Sequence, residues 1–137
     1  MMDQIIRFHH MGMAVRQSEK ARASLLSLGY RIGEAVHDSG QKAQVQMCHS
    51  AKFPDIELIY SESQDSPIHG LTKLQDEIMY HVCFETPSID AAVAQWRASG
   101  TRVFRVKPEM PAPLFDNRLV AFYHVAGFGL VELLEEA

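Results

Sequence analysis

Two histidines and two glutamates stand at matching places in the two halves of this chain. His10 leads the run Met11-Gly12-Met13-Ala14-Val15, and His81, 71 residues later, leads Val82-Cys83-Phe84-Glu85-Thr86. The same offset carries Ala21 onto Ala92 and Gly29 onto Gly100. Each half then ends in an apolar stretch with one carboxylate, Ile56-Glu57-Leu58-Ile59 and Val131-Glu132-Leu133-Leu134. Histidine and glutamate are 47 residues apart in the first half and 51 in the second. A carboxylate among apolar neighbours is costly to bury unless something pairs with it. Two copies of one module related by a pseudo-twofold axis would bring two imidazoles and two carboxylates together, a donor set for a divalent metal ion.

The elements that must position these groups repeat as well. Residues 5–15 read as a strand, on which Phe8, His10, Gly12 and Ala14 share one face and His9, Met11 and Met13 the other, so that His9 and His10 cannot both be ligands. Ser18 reads as the cap of a helix over 19–28, with Ala21, Leu25 and Leu28 inward and Gly29 at its end. Strands follow at 30–36, 43–49 and 56–60, with a turn at 37–40. The second half has a strand at 78–86 and a helix at 89–98, opened by Pro87-Ser88, with Ala92, Val93 and Trp96 inward and Ser99-Gly100 at its end. Its further strands fall at 102–106, 118–124 and 130–134. The proline-rich segment 107–116 reads as loop, and a short helix is expected around 71–74. Strand, helix and three strands thus occur twice.

Composition bounds the class. At 137 residues with 47% hydrophobic and 22% charged residues, the chain is a globular domain able to bury a core. A net charge of −4 and the lack of a basic run disfavour nucleic acid and anionic membranes as partners. No apolar stretch reaches the ~18 residues of a membrane span. Residues 1–7 lack the pattern of a signal peptide. Cys48 and Cys83, without a CxxC spacing, read as reduced core thiols, and the expected location is the cytoplasm. Met11, Met13, Met47 and Met79 read as core. His37, His49, His69 and His124 read as surface or packing residues in turns, connectors or strand ends without partners. Phe115 and Phe128, in proline- and glycine-bearing loops, are candidates to line a pocket.

Several segments resemble the vicinal-oxygen-chelate superfamily, which includes glyoxalase I and methylmalonyl-CoA epimerase. They are His10-Met11-Gly12-Met13-Ala14-Val15, Leu28-Gly29-Tyr30, Ile56-Glu57-Leu58-Ile59, Asp65-Ser66-Pro67-Ile68, Tyr80-His81-Val82 and Leu130-Val131-Glu132-Leu133-Leu134-Glu135. Asp116-Asn117-Arg118 is similar to a small bacterial glyoxalase I-like subgroup. The resemblance implies an α+β fold of two βαβββ modules forming an open, curved sheet around a metal. Within a single domain over 1–137, module one spans about 5–62, a connector 63–77 and module two 78–136. It implies His10, Glu57, His81 and Glu132 as ligands of a divalent ion, with Ni, Co, Zn, Mn and Fe as candidates. The implied activity is a metal-dependent glyoxalase I-like isomerase of the lactoylglutathione lyase type, working by proton transfer through a metal-stabilised enediolate. Glu132 is the expected base, with Glu57 opposite.

The glyoxalase reading is preferred on two points. Epimerases of the superfamily usually carry Gln where Glu57 stands, and their further catalytic Glu falls near Asp38-Ser39-Gly40-Gln41, where the aligned position is Ser or Gly. Tyr60-Ser61-Glu62 departs from glyoxalase I, which often has Asn there to hold glutathione, and so counts against glutathione as the thiol. The alternatives are an acyl-CoA epimerase acting on methylmalonyl-CoA and a non-catalytic small-molecule binding or resistance protein. An extradiol iron dioxygenase, using one carboxylate, fits less well. Arg105, Lys107, Arg118 and Phe115 are candidate contacts for a small-molecule substrate. A strand apolar on both faces at 5–13 points to a homodimer.

Overall fold

The computed structural model describes residues 3–61 and 63–137. Met1 and Met2, part of the stretch read for a signal segment, and Glu62 lie outside the described residues. The chain runs β1 (Arg7–Val15), α1 (Ser18–Ser27), β2 (Arg31–Ile32), β3 (Val36–Asp38), β4 (Ala43–His49), β5 (Ile56–Ser61) and α2 (Pro67–Leu71). It continues with β6 (Glu77–Thr86), α3 (Ile89–Ala98), β7 (Val103–Ala112), a 3-10 turn at Pro113–Phe115, β8 (Arg118–Val125) and β9 (Gly129–Glu135). The class is α+β. Two compact units result: His10–Tyr80, and the residues up to His9 together with His81–Ala137.

Each unit is built to one plan. In the first, the order is β2-β4-β5-β1, with β3 also on β4; β5 runs parallel to β1 and antiparallel to β4. In the second, the order is β6-β9-β8-β7; β9 runs parallel to β6 and antiparallel to β8. Among the described residues β2 pairs only with β4 and β7 only with β8, so the sheet is open.

The helix of each unit covers one face of its strands. Val15, Leu25, Tyr30, Cys48, Ile56 and Leu58 form the core under α1. Ile89, Ala92, Val93, Ala121, Tyr123, Val131 and Leu133 form its counterpart under α3. The opposite faces of β5 and β9 are buried as well, so the buried stretches of both strands are apolar on both faces except at Glu57 and Glu132.

The segment before β1 belongs to the second unit for identifiable reasons. Ile5 and Ile6 pack on the α3 core, Gln95 Nε2 donates to the Asp3 carbonyl at 2.6 Å, and Arg7 bridges Glu85 at 2.8 Å and Glu136 at 3.0 Å. Arg118 holds the other oxygen of Glu85 and donates to the Glu135 carbonyl.

Several local expectations are corrected. The loop expected at 107–116 is strand as far as Ala112. As β7 is an edge strand and carries register shifts at Arg105/Lys107 and Lys107/Met110, it tolerates Pro108 and Pro111. The strand expected at 30–36 breaks at Gly33, and the turn expected from residue 37 begins after Asp38, which β3 takes up. The short connector helix starts four residues early, at Pro67, because Ser66 Oγ accepts from Ile68 N and Pro67 fills the first turn. Gln17, not Ser18, occupies the α1 cap position. Leu28 and Met79 are exposed rather than core. Gly29 and Gly100, at φ 98° and 82°, end their helices as expected.

Two outcomes follow. Gly33 donates to the Met47 carbonyl at 2.7 Å, and a Cβ on it would meet that oxygen at 2.8 Å. Gly33→Ala should therefore cost about 1–3 kcal/mol in urea unfolding; an unchanged midpoint would contradict this close approach. The Arg118 guanidinium holds the Glu85 carboxyl below the usual carboxylate range. A depressed pKa contributes stability that is full above the unfolded value of ~4.3 and is lost as pH falls through the folded one. The melting temperature of Glu85→Gln should thus lie below wild type at pH 7, with the gap narrowing only as pH falls from ~4.3 through the lowered folded pKa; a gap independent of pH would contradict the pairing.

Candidate functional site

In the first unit the parallel ladder sets Gly12 beside Glu57. His10 lies two residues before Gly12 and so shares its face. Its Nε2 comes within 3.3 Å of Glu57 Oε1, and the two residues are 0% and 3% exposed. In the second unit Cys83 stands beside Glu132, and His81 again lies two residues earlier. His81 Nε2 is 3.2 Å from Glu132 Oε1, and each residue is 3% exposed. The same register, offset and distance thus recur. Both pairs lie on the faces turned away from α1 and α3.

The neighbours on those faces follow from the ladders. Phe122 is the cross-strand partner of Glu132 and meets the His81 ring edge-on at 5.4 Å. Met47 is the partner of Glu57. Asp38 pairs with Ala43, which shares its face with Val45 and Met47, so this buried carboxylate lies on the Glu57 face. Its oxygens accept from Gly40 N at 3.0 Å and Gln41 Nε2 at 2.9 Å, and Tyr80 donates to Gln41 Oε1 at 3.3 Å. Sequence reading assigned Asp38 to a turn. The alternation Val36-His37-Asp38 just before Ser39-Gly40 was the available sign of a strand.

The candidate substrate contacts separate. Opposite residues of an antiparallel pair share a face. Lys107 is opposite Phe122 and so lies on the His81 face, whereas Arg105 is opposite Tyr123, on the α3 face. The register shift between them undoes the same-face spacing of i and i+2. Arg118 is engaged with Glu85 and Glu135, and Asp116 and Asn117, at φ 55° and 61°, form the left-handed turn that delivers it. Phe115 meets the His9 ring edge-on at 5.3 Å and packs on the cluster of Cys83, Val120 and Leu134, whereas Phe128 is exposed.

The other histidines and the two cysteines stand outside the two His–Glu pairs. His49 has a partner after all, Asp55 at 3.0 Å. His37 lies in β3, His69 in α2 and His124 exposed in β8. Cys48 and Cys83 are buried free thiols, and burial pushes Cys48 up to about 11, which keeps it protonated and inert. No helix among the described residues is long and apolar enough to cross a membrane.

Residues 9–122 match the model of the Glyoxalase/Bleomycin resistance protein/Dioxygenase superfamily. The chain is 32% identical over 131 residues to mitochondrial methylmalonyl-CoA epimerase of Bos taurus, covering 93% of this chain and 73% of that one. Two solved structures share its fold. Methylmalonyl-CoA epimerase from Mycobacterium tuberculosis has a TM-score of 0.81 at 19% identity, covering 100% of this chain and 93% of that one. A variant of the Streptomyces coelicolor epimerase in complex with 2-nitronate-propionyl-CoA has a TM-score of 0.74 at 20% identity, covering 98% and 99%.

The glyoxalase I-like, lactoylglutathione lyase-type expectation is thereby corrected, since the similarity runs to epimerases. The preference for it rested on Glu against Gln at position 57 and on the lack of a Glu near residues 38–41; both side chains at 57 offer an oxygen to a metal, and Asp38 puts a buried carboxylate of that segment on the Glu57 face, so neither point sets the reaction. Family-model match and bovine relative lead to one conclusion: the chain belongs to the glyoxalase/bleomycin resistance protein/dioxygenase superfamily.

Proposed function

We propose that this chain is an acyl-CoA epimerase of the methylmalonyl-CoA class. The observation that carries the choice of reaction is the similarity to methylmalonyl-CoA epimerases, and the duplicated, buried His–Glu pair at one register in both units supplies the donor set. Four buried donors, two imidazoles and two carboxylates, fit a divalent ion by type and by the cost of burying those carboxylates otherwise. In this reading His10, Glu57, His81 and Glu132 hold the ion, with Ni, Co, Zn, Mn and Fe as candidates. When bound, the ion supplies Lewis-acid stabilisation of the negative charge that develops on a thioester oxygen.

The residues do the rest. Glu132 removes the proton from the carbon between thioester and carboxylate, and Glu57 in its protonated form delivers a second proton to the opposite face; Glu132 is left protonated and Glu57 ionised, and exchange with water restores the pair, so the configuration inverts without net change of atoms. Lys107, brought onto the Glu132 face by the β7 register shift, suits the substrate carboxylate. Arg118 orders the Glu85 side chain instead. The apolar neighbours of both glutamates exclude the water that would compete for the proton. A homodimer and a cytoplasmic location, suggested by apolar β1 and by the two buried thiols, belong to the same proposal.

Metal-reconstituted protein with methylmalonyl-CoA in deuterated water should introduce solvent deuterium at the carbon that inverts. Glu132→Gln should keep the fold and lower the rate by ~10²–10⁴-fold, because the amide is a poor base. No exchange with any of the five metals would contradict the reading.

A further inference from the structure

A second site lies within the second unit, on the α3 side of its strands. An open depression of about 540 Å³ is lined by Asp90, Val93, Ala94 and Arg97 of α3 and by Arg105 and Tyr123, with Asp90, Arg97 and Arg105 exposed to solvent. The helix residues fall at spacings of three and four and so present one face. Arg105 and Tyr123 are cross-strand partners. Tyr123 follows Phe122 along β8, so its side chain lies on the face opposite the His81–Glu132 pair. The volume is in the range of small-molecule sites.

The chemistry of the lining is specific. Tyr123 is 5% exposed, and among the described residues nothing hydrogen-bonds its hydroxyl. Its hydroxyl is not enclosed but opens into the depression, where it stands as a donor. Arg97 makes no ion pair among the described residues, and Arg105 donates only to the Lys107 carbonyl, at 3.4 Å. Two guanidiniums, one phenol and one carboxylate leave a net positive charge with a single acceptor beside it.

We propose that this depression binds a phosphate group carried on a small hydroxylated molecule. Arg97 and Arg105 take the phosphate oxygens, for which the planar guanidinium is suited. The Tyr123 hydroxyl donates a further bond, and Asp90 accepts from a hydroxyl of the carrier. A free phosphate ester and the ribose phosphate of CoA both offer this chemistry. The site is separate from the His–Glu pairs, so the inference does not rest on the epimerase reading.

Calorimetry on the intact chain with ribose 5-phosphate, CoA, CoA lacking its 3′-phosphate and inorganic phosphate tests it. One phosphate ester should bind per chain, Arg97→Gln and Arg105→Gln should each weaken it tenfold or more with unchanged melting temperature, and Tyr123→Phe should weaken it severalfold. Tight CoA binding that disappears with the 3′-phosphate supports the proposal with CoA as source. Ribose 5-phosphate binding as well as CoA supports it with a free ester as source. No binding of any of the four probes, or binding unchanged in both arginine variants, overturns it.

Discussion

A carboxylate buried beside an imidazole, in a strand closed on both faces, is the constraint on which the rest of this structure depends. Glu57 and Glu132 each sit between aliphatic residues, at 3% exposure, where an isolated charge is costly. Each is matched by a histidine on the neighbouring parallel strand, two residues from the cross-strand position. A shift of one residue in either ladder would turn the histidine to the helix face and leave the carboxylate among methyl groups. The parallel pairing of the first and last strands of each unit is what makes the match possible, and the intervening helix and strands exist to bring the chain back beside its start.

The division of faces follows. In both units the helix core takes the odd or even set of side chains that the His–Glu pair leaves, so stability and chemistry use opposite sides of the same strands. That separation explains how the α3 face acquires a polar depression of its own around Tyr123 without disturbing Phe122, one residue away on the other side. It also explains why the β7 shift matters: one added residue hands Lys107 to one face and leaves Arg105 on the other.

Much of this was legible because the chain repeats itself. The matched His10/His81, Glu57/Glu132 and Gly29/Gly100 made the two modules visible, and strict alternation located the histidine faces. What could not be read had non-local causes. Pro108 and Pro111 argue for loop unless β7 is known to be an edge. Leu28 and Met79 look like core until their neighbours are known. Nothing local in Ile5, Ile6 and Arg7 says that they pack with the far half of the chain, where Gln95, Glu85 and Glu136 await them. The reaction was the least legible, because the same four donors serve several chemistries and one oxygen ligand exchanged for another does not distinguish them.

The central claim is that two equivalent half-sites serve one ion, and the stoichiometry of cobalt binding to chelator-stripped protein tests it most directly. One ion per chain is predicted for the wild type, with binding lost in both His10→Ala and His81→Ala and kept in His9→Ala. Two ions per chain, or about half the binding surviving in each of the first two variants, would mean that each unit holds a metal alone and would contradict the account.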